Sequence, residues 1–142
     1  MEIKATYRFA GSPQSVWAVL MDPEAIKSCL PECRELRPAG DNRYQAQLAI
    51  GLAAVTGTFD AMITLSDLAP PDSFRLTVDA KGKPGFARGV ATISLTPTMD
   101  GTEVAVTATS EAGGLIARLG QRLLEGVARM TMDRFFHCLA SR

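Results

Sequence analysis

Residues 2–10 alternate in character, with Ile3, Ala5, Tyr7 and Phe9 on one side and Glu2, Lys4, Thr6 and Arg8 on the other. This is the period of a half-buried strand. Ser12 before Pro13 reads as a helix N-cap with proline at the first helical position, and Val16, Trp17 and Leu20 then form an apolar stripe. Asp22 and Pro23 repeat the signal. They predict a second short helix carrying Ile26 and Leu30, stopped by Pro31 because the residue before a proline is pushed out of the α region.

From about residue 32 to 111 the chain breaks into short alternating runs. Tyr44, Ala46, Leu48, Ile50 and Leu52 form one; Phe59, Ala61, Ile63 and Leu65 another; Phe74, Leu76, Val78 and Ala80 a third. Ala91, Ile93 and Leu95, then Val104, Val106 and Ala108, complete the set. Turn residues at 40–42 (GDN), 70–73 (PPDS), 81–85 (KGKPG) and 99–101 (MDG) mark the reversals. With the first strand and a short one near 33–38, the pattern predicts about seven strands with short connections, hence an antiparallel meander.

After Gly113 and Gly114 the period becomes helical. Leu115, Leu119, Leu123 and Val127 recur every fourth residue, widened by Ile116, Leu124, Met130, Phe135 and Leu139. The prediction is one helix of about 27 residues, roughly 40 Å at 1.5 Å per residue. Gly120 and Gly126 inside it cost helix propensity and are read as points of close approach to the sheet or a ligand. A one-faced antiparallel sheet must cover its apolar side, and this helix alone is large enough. The expected fold is therefore a single α+β domain over 1–142, a curved seven-stranded sheet wrapped around a long C-terminal helix.

Composition narrows the function classes. A length of 142 residues is the size of one domain. Fifteen basic residues balance fifteen acidic ones, so the global basic footprint of a nucleic-acid binder is missing. No basic-then-apolar leader opens the chain and no apolar run reaches the roughly 18 residues of a membrane span. Three cysteines, Cys29, Cys33 and Cys138, are expected as small buried thiols in a reducing cytoplasm.

The stretches VWAVLMDPEAIKSCLPEC at 16–33, LSDLAPPDSF at 65–74, GFARGVA at 85–91 and GGLIARLGQRLLEGVARMTMDRFF at 113–136 resemble the G-subunit family of carbon monoxide dehydrogenase, within the START-like SRPBCC superfamily. The resemblance covers nearly the whole chain. It implies a helix-grip fold with an internal hydrophobic cavity, and a role beside a molybdenum-containing carbon monoxide dehydrogenase or related hydroxylase, often described as membrane recruitment. Many members carry an apolar C-terminal anchoring segment, whereas this sequence ends at Arg142. Glu32 stands where relatives commonly have glycine, which bears on the local turn.

Catalytic chemistry is sparse. His137, beside Phe136 and Cys138, is read as an ordinary helical residue. Cys29 and Cys33 are four apart, but zinc normally requires four ligands, so neither a metal site nor a redox pair is expected there. Asp60, Asp67, Asp79 and Glu103 fall on the polar side of their alternating runs and are expected to face water. The chain is thus expected to be non-enzymatic and to need no cofactor.

Two readings stand for the GFARGVA segment. In one it is a plain hairpin with Phe86 tucked into the core. In the other, Phe86 with Lys81, Lys83 and Arg88 forms an apolar-tipped basic lip, a pocket mouth or a contact for a partner or an anionic membrane surface. Candidate ligand-binding positions on the sheet are Leu48, Ile50, Phe59, Ile63, Leu76 and Val78, with Phe86 at the mouth. On the helix they are Leu119, Leu123 and Val127. Composition does not distinguish a filled core from a lined cavity; the resemblance favours a cavity. The expected partner is a lipophilic small molecule, quinone-like because the associated dehydrogenase must pass electrons onward. The alternatives are a polyketide cyclase- or hydrolase-like enzyme of the same superfamily, marked by polar groups converging in the cavity, and a ligand-free assembly factor, marked by a solid interior. The expected location is the cytoplasm, extending to peripheral contact at the inner membrane face.

Overall fold

The computed structural model describes residues 1–30, 32–52 and 55–142, without the side chains at 50–52 and 55. Its elements run β1 (Glu2–Phe9), α1 (Pro13–Leu20), α2 (Pro23–Cys29), β2 (Cys33–Pro38), β3 (Arg43–Leu52), β4 (Val55–Ala69), β5 (Ser73–Gly82), β6 (Gly85–Thr98), β7 (Gly101–Gly114), a 3-10 turn (Leu115–Leu119) and α3 (Gln121–Ala140). The described strands form one antiparallel sheet in the order β1-β7-β6-β5-β4-β3-β2. This is the predicted helix-grip arrangement. The meander departs from simple succession only in that β1 pairs with the last strand, Tyr7 lying opposite Val104.

The local signals act as read. The Ser12 hydroxyl accepts from the Ser15 N–H at 3.2 Å, and the Asp22 carboxylate accepts from the Glu24 N–H at 3.0 Å. Both satisfy helix donors that otherwise lack partners. Leu30 caps α2 with extended backbone, as the following proline requires.

Three expectations need correction. The long helix is broken: Gly120, at φ +87 and ψ 151, leaves the helical region altogether, so a short 3-10 turn precedes a 20-residue α3 about 30 Å long. Glycine reaches this conformation without a Cβ clash. Nor do Gly120 and Gly126 mark close approach, because a Cβ built on either meets nothing within 4 Å. Finally, Cys29 and Cys138 are joined in a disulfide with their Cα atoms 5.5 Å apart rather than standing as separate thiols. They are 109 residues apart in sequence, and only the packing of α2 beside the end of α3 brings them together.

The interior divides into two clusters. One, under the C-terminal half of α3, holds Tyr7, Phe9, Val16, Leu20, Ile93 and Phe136. The other, beneath the 3-10 turn, holds Ala46, Phe59, Ala61, Ile63, Ala80 and Ile116. Their strand members sit on alternate positions, so one face of the sheet carries both.

Candidate functional site

A cavity of about 250 Å³ opens where the two clusters meet. Its floor is the sheet: Ile63 and Leu65 from β4, Phe74, Leu76 and Val78 from β5, Ala91 and Ile93 from β6, and Val106 and Ala108 from β7. Its roof is α3, through Ala128, Met132, Phe135 and Phe136, and its end wall is Leu20 of α1 with Ile26 of α2 and Leu30, the residue that caps α2. The surface it presents is almost wholly aliphatic or aromatic, with scarcely any polar area. Such a lining favours apolar surface and offers few partners to a polar or charged solute.

A second space of about 460 Å³ adjoins the first, sharing Ser110 and Ala128 with it. It lies under the 3-10 turn and the start of α3, lined by Phe59, Ala80, Ala112, Ile116, Leu124 and Val127 among others.

The sequence-derived positions separate between these spaces. Ile63, Leu76 and Val78 line the first cavity; Phe59, Leu119 and Val127 line the second. Leu48 packs on the cluster beneath the 3-10 turn without lining either space, and the Ile50 side chain lies outside the described residues. Leu123 is 46% exposed. The break at Gly120 resets the helical phase: Leu124, Val127, Ala128, Met132 and Phe135 of α3 face inward, whereas Leu115 and Leu123 of the four-residue repeat are exposed. Phe86, 47% exposed, stands on the opposite side of the sheet from the cavities, its ring over Gly113. Strand alternation explains this, since its neighbour Ala87 faces the second cavity. Lys81, its cross-strand partner, is exposed, as are Lys83 and Arg88. Arg88 pairs with Asp79 at 3.3 Å.

Sequence reasoning missed the end wall. Ile26 and Leu30 were legible as the apolar face of α2, and Phe135 as part of the helical stripe, yet nothing local said that they would face one another across a void.

The electrostatics show little that resembles acid–base machinery. Asp60, Asp67 and Asp79 are exposed and Glu103 is half-buried; none lines the first cavity. His137 is exposed and meets Tyr7 edge-on at 5.6 Å. The Tyr7 phenol donates to Asp133 at 2.7 Å; burial, then this bond and the carboxylate charge, push its pKa well up, with Arg129 opposing. A phenol so held is a poor proton donor. Among the described residues no cluster of three metal-ligating side chains occurs, no buried side-chain polar atom lacks a hydrogen-bond partner, and no helix is long and apolar enough to cross a membrane.

The family model for the G subunit of carbon monoxide dehydrogenase (CoxG) matches residues 6–142. No curated protein matches the chain. Among solved structures it is similar to a conserved protein of Geobacillus kaustophilus, with 36% identity over 99% of this chain and 93% of that one and a TM-score of 0.94. It is also similar to the Mll3558 protein of Rhizobium loti (15% identity, 99% and 95% coverage, TM-score 0.75). A third similarity is to StfQ, the di-domain ARO/CYC protein of the steffimycin biosynthetic pathway (12% identity, 99% of this chain, 50% of that one, TM-score 0.71). The last two share the fold alone.

Proposed function

The chain belongs to the CoxG family, that of the carbon monoxide dehydrogenase G subunit, and from that premise we propose that it binds a lipophilic, quinone-like molecule between sheet and α3, as a non-enzymatic accessory factor. Its partner in this reading is a molybdenum-containing carbon monoxide dehydrogenase or related hydroxylase. The observation that carries the proposal is the apolar cavity bounded by Ile63, Val78, Ala108, Met132 and Phe135. A ligand burying roughly 300 Å² of apolar surface there gains on the order of 7 kcal/mol at about 25 cal/mol per Å².

The enzymatic alternative takes support from the shared fold of StfQ, but no carboxylate or imidazole converges on this lining. The ligand-free alternative calls for a solid interior, which the cavity opposes. On the other side of the sheet, Phe86 with Lys81 and Lys83 forms the proposed contact with a partner or an anionic membrane surface at the cytoplasmic face.

Organic extraction of the purified protein followed by mass spectrometry tests the binding reading, together with titration of a short-chain quinone. A lipophilic species near one per chain, or saturable quinone binding, is expected. A protein that carries nothing and binds neither quinone nor any lipophilic dye would overturn it.

A further inference from the structure

The two helices that form one side of the cavity are covalently joined beside it. Ile26 and Leu30 of the α2 segment and Phe135 and Phe136 of α3 line the cavity, while Cys29 and Cys138, each three residues from one of these, are bonded to each other. Residues three apart share a helix face, so the bond lies along the α2–α3 seam. Among the described residues, a hydrogen bond from the Arg142 guanidinium to the Ser28 hydroxyl also links these two segments. Farther along α3, Asp133 is held to β1 through Tyr7 and Arg129 through the Lys4 carbonyl. The middle of the helix is therefore tied to the sheet independently of the seam.

We propose that the Cys29–Cys138 disulfide is a redox latch on this cavity: oxidised, it holds α2 against the end of α3 and retains the ligand; reduced, it lets the seam open and the ligand exchange. This rests on the reading of the cavity as a lipophile site and adds its regulation.

Cys29 is buried whereas Cys138 is partly exposed, so an incoming dithiol reaches Cys138. Its thiolate attacks the Cys138 sulfur, forming a mixed disulfide, and the Cys29 sulfur leaves with the bonding pair and takes up a proton. The second thiol of the dithiol then closes onto its own partner and releases Cys138 as a thiol. Two electrons and two protons have passed to the protein, and the dithiol has become a disulfide. Cys33, the free cysteine among the described residues, donates to the Glu35 carbonyl at 3.3 Å, and burial pushes its thiol pKa up. It is held as a thiol and takes no part.

The test uses the whole chain loaded with N-phenyl-1-naphthylamine, a lipophilic fluorophore, and follows its release by stopped flow with and without dithiothreitol. Release about tenfold faster after reduction is expected, a factor equal to about 1.4 kcal/mol in retention, with circular dichroism unchanged. The Cys29→Ser/Cys138→Ser variant should release at the fast rate in both conditions, and Cys33→Ser should keep the response. Hydrogen exchange of residues 24–30 and 134–140 is read alongside and should accelerate on reduction. Three titratable thiols in the unreduced protein, equal release rates, or a response abolished by Cys33→Ser would each overturn the latch. If the fluorophore binds in neither state, the latch is judged by exchange alone, and the binding reading fails only if the protein also carries no extractable lipophile and takes up no short-chain quinone: unchanged protection across the seam rejects the latch, whereas accelerated exchange retains it as a conformational device.

Discussion

The phenol of Tyr7, near the start of the chain, donates a 2.7 Å hydrogen bond to Asp133, and its ring stacks on Phe136 at 4.7 Å. Strand β1 thereby grips α3 at two adjacent turns. Tyr7→Phe should keep the stacking and lose the hydrogen bond, costing about 1 kcal/mol in urea denaturation. The pH dependence follows from linkage. The folded state binds the phenolic proton more tightly than the unfolded chain, so this stabilisation is whole below the ordinary tyrosine pKa of about 10 and drains away as pH rises above it. The stability gap between wild type and Tyr7→Phe should narrow from pH 9 towards 11; a constant gap would reject the assignment.

Glu32 has a φ of 59, in the left-handed region that side chains with a Cβ occupy at a cost of about 1–2 kcal/mol. Glu32→Gly removes that cost and gives back part of it as unfolded-chain entropy. A net gain of about 0.5–1 kcal/mol is expected from chemical denaturation, and a loss of that size would contradict the strain.

Ala108 lines the cavity from β7. Ala108→Phe places a ring in empty space, where overpacking strain of about 1–3 kcal/mol is not expected. Stability should stay within about 1 kcal/mol of wild type or rise, while uptake of a short-chain quinone falls about tenfold or more, equivalent to about 1.4 kcal/mol. A large destabilisation with unchanged uptake would show that the void is not the site.

The disulfide joins residues 109 positions apart. Cys138→Ser should lower stability by about 2–5 kcal/mol under non-reducing conditions, and dithiothreitol should bring wild type down to the variant's level. If wild type is indifferent to the reductant, the bond contributes nothing to global stability.

The strands were legible because one face of the sheet is buried and the other wet, which writes a two-residue period into the sequence: Ile3, Tyr7 and Phe9 alternate with Glu2, Thr6 and Arg8 as the register with β7 requires. The short helices were legible from Ser12, Pro13, Asp22 and Pro23, whose effects are local. The inner face of α3 was legible only in part. Leu119 and Val127 face the second cavity but Leu123 does not, because Gly120 sets a new phase and a four-residue repeat drifts around a helix of 3.6 residues per turn.

The amino-acid pattern by itself determined the order and type of the elements, the antiparallel meander and the presence of a covering helix, since each depends on periodicity, capping and turn chemistry within a few residues. Only the tertiary structure decided that α1 and α2 wall one end of a cavity, that Phe86 turns away from it, and that Cys29 meets Cys138. Those facts depend on where segments about a hundred residues apart come to rest, and on a space left unfilled, for which no local pattern of side chains provides a mark.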